Sequence, residues 1–272
     1  MNLKQVLKSI GVVYQEKIAS MNRDLKKGKI QPVNFSDFVY EFYINRFGFE
    51  KIAQKNFCFF IISLKYHVHV LRANIFARML NLVKGKNYGE DETQKYFHGL
   101  HFLLTNKKGF DVKPETNEEG RRSMFPFLRA DEYLKENFED KMNPTEYAEF
   151  RQEIEKLKKP DDPMLNGKAG IIDSDELLTR AIEKYQICLN RAKQHVVDAF
   201  NSCDLDGDRT CSINEYIMLN RYIENERFDL NKCIEEFFEN TDLEEDDEKK
   251  MSFDRFATVS VENDIFTKEK QN

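Results

Sequence analysis

Apolar residues recur along most of the chain at intervals of three and four, the spacing that places them on one face of an α-helix. In the first part of the chain this stripe runs from Leu3 to Leu25 and stops near Gly28, which predicts a long first helix. A second helix can be capped by Asn34 or Ser36. Further helices are predicted at about 50–66, 68–83, 91–105, 130–139 and 144–158.

The most regular apolar stripe begins at Leu177 and ends at Phe200, in a segment without Gly or Pro. Asp173 and Glu176 precede it with the spacing of an N-terminal capping box, which predicts one long helix. The whole chain has only 11 Gly and 6 Pro in 272 residues, and this scarcity of turn formers favours long helices over a turn-rich β architecture. We therefore predict an all-α fold.

Directly after this long helix, carboxylates occupy every second position, at Asp204, Asp206 and Asp208. Glu215 is the twelfth residue of the segment that begins at Asp204. Alternate residues of a tight loop point inward, and a terminal Glu can supply both of its oxygens. The segment therefore suits Ca²⁺, which takes about six to eight oxygen ligands. The alternative interpretation is an acidic surface loop whose charges alternate by chance.

The segment 204–215 resembles the calcium loop of the EF-hand family, and a helical stripe flanks it on each side. The resemblance implies that Ca²⁺ is the cofactor and that Ser212 stands where a water molecule is held. The ligands that it implies are the side chains of Asp204, Asp206 and Asp208, the backbone carbonyl of Thr210 and the bidentate carboxylate of Glu215.

Two positions of this loop depart from the family pattern. The sixth position, usually Gly because the chain turns there with positive φ, holds Arg209. A side chain at such a position costs roughly 1–2 kcal/mol. The eighth position, usually a β-branched apolar residue that pairs with a partner loop, holds Cys211. We expect the loop to bind calcium, with an affinity that Arg209 weakens.

A partner loop is predicted at 242–255, because EF-hands usually occur in pairs and one alone buries too little apolar surface. Met251 and Ser252 align in phase with Cys211 and Ser212. The closing position of this second loop holds Arg255, a cation where carboxylate oxygens would bind a metal. We therefore predict a structural partner without a bound metal.

Charge is divided unevenly along the chain. Residues 1–110 contain 18 Lys and Arg against 8 Asp and Glu, whereas residues 111–272 contain 24 against 40. A basic half suits an anionic surface such as acidic protein tails, membrane headgroups or nucleic acid, of which we favour protein. The alternative is that the two halves attract each other. The predicted domains are a basic helical interaction domain over 1–105, a linker with short helices over 106–172, and an EF-hand pair over 173–272.

The segment from Asp37 through Leu82 is similar to helical N-terminal modules of some flagellar and axonemal proteins. That resemblance implies a cilium or axoneme as the location and microtubule components as partners. The longest apolar stretch, 57–64, is far shorter than the ~20 residues of a membrane span. Five Cys without a CxxC pair and an N-terminus without a long apolar region favour the cytoplasm.

Catalytic chemistry has little support in the sequence. The chain has no GxSxG motif, no Cys beside a plausible base and no Gly-rich phosphate loop, so we expect no enzyme activity and no small-molecule substrate. His67, His69, His98 and His101 could in principle hold zinc, but no acid or thiol joins them and we expect ordinary histidines.

Two functions remain open at this point. The favoured hypothesis is a calcium-binding structural or regulatory adaptor of the axoneme or cytoskeleton, with one Ca²⁺ site. The alternative is a cytosolic calcium sensor, in which metal binding exposes an apolar groove to a target helix.

Overall fold

The computed structural model describes residues 1–27, 34–85, 87–104, 124–159, 170–204, 207–224, 228–241 and 250–262. Within these residues the chain forms eleven α-helices and four short strands, which confirms the predicted all-α class. In chain order they are α1 (Leu3–Lys27), α2 (Phe35–Phe47), α3 (Glu50–Tyr66), α4 (Leu71–Met79), α5 (Glu90–Leu104), β1 (Met124–Pro126), α6 (Phe127–Phe138), α7 (Pro144–Glu155), β2 (Ile171–Asp173), α8 (Ser174–Cys203), β3 (Thr210–Ser212), α9 (Ile213–Glu224), α10 (Leu230–Asn240), β4 (Lys250–Ser252) and α11 (Phe253–Glu262).

The chain divides into two compact units. The first unit consists of Met1–Asp140 and Pro144–Glu183, and the second of Lys141–Asn143 and Lys184–Asn272. The boundary falls inside α8, whereas the sequence places one at 173, and the helices α6 and α7 of the predicted linker belong to the first unit. The reason is that α8 begins in the first unit's core, where Leu178 lies so close to Gly99 of α5 that a Cβ on Gly99 would not fit.

Aromatic side chains from five helices build the core of the first unit. Tyr14 meets Phe97 edge to face with ring centroids 5.2 Å apart. Phe76 contacts Phe35 at 5.4 Å and Phe60 at 5.6 Å. Such pairs contribute about 0.5–1.5 kcal/mol each beyond their buried area. The predicted first helix is confirmed as α1, which buries one face through Val6, Leu7, Ile10, Val13 and Tyr14.

A charged pair is buried in the same unit, between α4 and the start of α8. Arg72 donates to Asp175 from Nε at 2.9 Å and from Nη2 at 3.2 Å, and the Tyr96 hydroxyl donates to Asp175 Oδ1 at 2.7 Å. Burial, and then the Asp175 charge, raise the pKa of Tyr96, so Tyr96 stays a donor. Asp173 caps α8 as predicted, since its Oδ1 accepts from the backbone N–H groups of Asp175 at 2.8 Å and Glu176 at 3.3 Å.

One local arrangement occurs twice in the chain. Strand β1 pairs antiparallel with β2, and β3 pairs antiparallel with β4, with Phe125 opposite Ile172 and Cys211 opposite Met251. Each of the four strands is three residues long and runs directly into a helix. The sequence predicts paired loops only in the second unit, and the structure adds the β1–β2 pair in the first unit.

The second unit packs the apolar faces of α8, α9, α10 and α11 against one another. Cys211 and Met251, which the sequence aligns in phase, lie opposite each other on the paired strands and are both buried. The core consists of Val196, Phe200, Cys211, Tyr216, Leu219, Cys233, Phe237, Met251 and Phe256. This core holds α8 and α9 at the two ends of the predicted calcium loop.

Candidate metal centre

Asp204 lies where α8 gives way to the loop. Its backbone N–H donates to the Phe200 carbonyl at 2.9 Å, and its Oδ2 accepts from the Arg209 backbone N–H at 3.1 Å. Its other oxygen, Oδ1, is buried and has no hydrogen-bond partner among the described residues. A carboxylate oxygen shielded from water is costly unless a donor or a cation meets it. The predicted ligand Asp206 lies outside the described residues.

Arg209 has φ +62°, in the left-handed region that the sequence predicts for the sixth loop position. The first unit contains an equivalent residue, Gly170, with φ +70°. Both residues directly precede a strand, β3 or β2, and both stand six residues before a Glu. The same turn is therefore made by Gly in one unit and by Arg in the other, where the Cβ adds a strain of roughly 1–2 kcal/mol.

Asp208 is engaged on both of its oxygens. Oδ1 accepts from the Thr210 backbone N–H at 2.7 Å and from the Thr210 hydroxyl at 2.6 Å. Oδ2 accepts from Lys250 Nζ of β4 at 2.5 Å. The Lys250 hydrogen bond, followed by those from Thr210, lowers the pKa of Asp208 to about 2. A cation from the partner loop thus already neutralises one predicted metal ligand.

Glu215 is buried at the start of α9 and has a second, local role. Its Oε2 accepts from the Ser212 backbone N–H at 2.8 Å and from the Ser212 hydroxyl at 2.7 Å. In return the Glu215 backbone N–H donates to the Ser212 hydroxyl at 3.4 Å. The two residues form a capping box for α9, which the Ser-x-x-Glu spacing would have predicted. Ser212, expected to hold a water molecule, is thus the N-cap of this helix.

The structure places Asp204, Asp208 and Thr210 between α8 and α9, and Glu215 in the first turn of α9. Among the described residues, which exclude Asp206, no group of three or more His, Cys, Asp or Glu side chains is arranged to hold a metal ion. Asp208 and Glu215 instead bond to protein donors. Ligation by this set would require these carboxylates to exchange protein donors for the metal.

The four helices that follow a strand can be compared by what their third residue bonds to. We call the third residue of each helix that follows a strand the closing position; the four are Arg129, Glu176, Glu215 and Arg255. In the first unit, Arg129 Nη2 donates to the carbonyl of Phe102 in the last turn of α5. Glu176 accepts from Lys159 Nζ at 3.3 Å, and Lys159 follows α7. Both closing residues therefore connect their helix to the segment before the loop.

Arg255 makes the same kind of connection in the second unit. Its guanidinium donates to Oδ1 of Asn240, the last residue of α10, at 2.6 Å. The loop between them, predicted to be free of metal, lies mostly outside the described residues at 242–249. At three of the four junctions, then, the residue at the closing position bonds to the segment before the loop. Each of these three hydrogen bonds is donated by an Arg or Lys side chain. At the fourth junction, Asp204 and Glu215 are both acidic.

Comparison of the chain with protein-family models, with curated proteins and with solved structures finds no match. None of the helices in the described part of the chain is long and apolar enough to cross a membrane.

Proposed function

We propose that the protein is a calcium-binding adaptor with one metal site, formed by Asp204, Asp206, Asp208, the Thr210 carbonyl and Glu215. The comparison of the four junctions carries this proposal. Three junctions have a basic side chain in their connection, whereas the loop 204–215 has carboxylates at both ends. A divalent cation would attract the carboxylates at both ends, so it is the partner that this loop fits best.

Two further observations support a metal in this loop. The buried Oδ1 of Asp204 has no hydrogen-bond partner among the described residues. Arg209 adopts a left-handed conformation that its own side chain disfavours. Strain and unsatisfied polar groups concentrate at functional sites, because selection for binding outweighs their cost in stability.

The closed core of the second unit supports a structural ion over a sensor. Residues of all four helices bury one apolar cluster, and Lys250 of the partner loop already pairs with Asp208. A sensor would have to open this cluster on binding calcium. The sensor therefore stays the alternative, and its signature is calcium-dependent binding of a hydrophobic dye.

The adaptor part of the proposal, docking of the basic first half on an acidic filament of the axoneme or cytoskeleton, stays a prediction from charge. Co-sedimentation of the protein with microtubules at increasing ionic strength tests this docking. Salt-sensitive binding would support it, because exposed charges more than about 8 Å apart are screened at physiological salt. Binding to no filament at low salt would contradict it.

Calorimetric titration of the full chain with calcium tests the metal site. We expect one saturable site in the wild type, its loss in Glu215→Gln, and no change in Glu235→Gln. Glu235 is an exposed residue of α10, so this control makes the same chemical change away from the loop. Absence of binding at millimolar calcium, or equal binding by Glu215→Gln, would refute the proposal.

A further inference from the structure

Helix α3 presents a second apolar face, directed away from the core of the first unit. Its inner face is buried through Ala53, Phe60 and Leu64. On the opposite side a row of residues follows at intervals of three, four, three and four. We call this row the outer stripe: Ile52, Lys55, Phe59, Ile62 and Tyr66. Its apolar members are 49%, 53%, 54% and 77% exposed in chain order.

The charges along the outer stripe have one sign. Lys51 and Lys65 directly precede its first and last residues, and Lys55 lies within it; all three are exposed. None of them forms a salt bridge within the described part of the chain. The only acidic residue of α3 is Glu50, at its first position, where it accepts from Gln54 at 3.1 Å.

We propose that the outer stripe binds an acidic amphipathic helix of another protein. Intervals of three and four are the spacing of a helix–helix seam, in which apolar side chains of one helix fit between those of the other. The row from Ile52 to Tyr66 is roughly 21 Å long at 1.5 Å per residue, enough to align four turns of a partner helix. Acidic residues beside the partner's apolar face would meet the three lysines.

The charge pattern favours an acidic occupant over a second copy of the chain. A second copy of the chain would bring Lys51, Lys55 and Lys65 against their own counterparts, and like charges across an interface are repulsive. An anionic lipid surface would also accept lysines beside an apolar row, so vesicle binding is measured as the competing outcome. The proposal concerns the first unit alone and does not depend on calcium.

The test uses the full chain and a fluorescent synthetic peptide of about 20 residues, long enough to form a helix on the stripe. The peptide carries Leu at the seam positions and Glu beside them, and a second peptide carries Lys in place of Glu. By fluorescence anisotropy we expect the acidic peptide to bind and the basic peptide not to bind. The triple variant Lys51→Glu, Lys55→Glu, Lys65→Glu should weaken binding at least about tenfold.

A charge-matched control separates local contacts from net charge. Lys84, Lys156 and Lys193 are exposed elsewhere, and their triple replacement by Glu should change the affinity less than about threefold. Phe59→Ser, an exposed change that leaves the inner face intact, should also abolish peptide binding while the circular dichroism stays unchanged. Equal loss in both triple variants would refute the proposal. So would dimerisation lost in Phe59→Ser, or tighter binding of phosphatidylserine vesicles than of the acidic peptide.

Discussion

The two units of the protein share the paired-strand arrangement but place their charges differently. In the first unit Arg72 and Asp175 are buried and joined by two hydrogen bonds, and Gly170 makes the left-handed turn without strain. In the second unit the core is apolar, Asp204, Asp208 and Glu215 lie within twelve residues of chain, and Arg209 makes the same left-handed turn.

The charges of the Arg72–Asp175 pair stabilise the fold, whereas those of the loop 204–215 lower its stability. A buried pair with its hydrogen bonds complete belongs to the folded structure and offers nothing to a ligand. The strain at Arg209 lowers the stability of the second unit unless something binds, and so does the buried Asp204 oxygen, which has no partner among the described residues. Four measurements test this contrast.

The largest effect is expected from Arg72→Ala. Removing one partner of a buried pair leaves the Asp175 charge uncompensated, so the free energy of unfolding should fall by about 3–5 kcal/mol. Urea unfolding followed by circular dichroism measures it. The control Arg23→Ala, which breaks the exposed pair with Glu16, should cost less than about 1 kcal/mol. Similar costs for the two variants would show that the first unit does not depend on its buried pair.

Calcium should stabilise the second unit and leave the first unchanged. With a Kd of about 10 µM, 1 mM calcium adds about 2.7 kcal/mol to the free energy of unfolding of the unit that binds it. Hydrogen exchange in calcium and in chelator, read separately over α4 and α9, reports the two units. In Glu215→Gln, calcium should not increase the protection of amides in either helix. Increased protection of the α4 amides of the wild type would contradict the assignment of the site.

Arg209→Gly should raise the free energy of unfolding by about 0.5–1 kcal/mol, which is the relief of strain less the extra backbone entropy of Gly. Gly170→Ala makes the reverse change at the equivalent position of the first unit. It should lower the free energy of unfolding by about 1 kcal/mol or more, because φ is positive there and Lys158 occupies the space of a Cβ. Urea unfolding of both variants measures the pair. A loss of stability in Arg209→Gly would mean that the arginine side chain itself stabilises the loop.

The smallest expected effect is a loss of stability at low pH, through Asp208. Lys250 and Thr210 lower the pKa of Asp208 to about 2, below the ~3.9 of an unfolded Asp. A depressed pKa stabilises the folded state above pH 4, and this contribution is lost as the pH falls towards 2. Carbon NMR titration of the Asp208 carboxyl measures it directly. Lys250→Met should return the pKa towards 3.9, and an unchanged value would mean that Thr210 alone depresses it.

Local spacing in the sequence was enough to predict most of the fold. The stripes that became α1 and α8 are long and regular, and Asp173 caps α8 as its position indicates. The positive φ of Arg209 was also predictable, because its place in the loop requires a left-handed turn. Each of these predictions rests on residues within a few turns of one another.

Features that join distant segments were not predictable. Arg72 and Asp175 are 103 residues apart, and Lys250 and Asp208 are 42 apart, so no local pattern couples either pair. The β1–β2 pair was not predictable either, because Phe125 and Ile172 lie 47 positions apart and no local spacing couples them. The calcium ligands themselves stay a prediction, with Asp206 outside the described residues.

The pairing of β3 with β4 has a consequence for the order of folding. It joins residues about 40 positions apart, and α9 and α10, which contact each other, lie wholly within the segment that the pairing closes. Closing a long segment loses entropy before its contacts return any energy, so we expect the local helix pair to form first and the strands to meet late. The loop 204–215 therefore acquires its final shape near the end of folding, and calcium would act mainly by slowing the first step of unfolding.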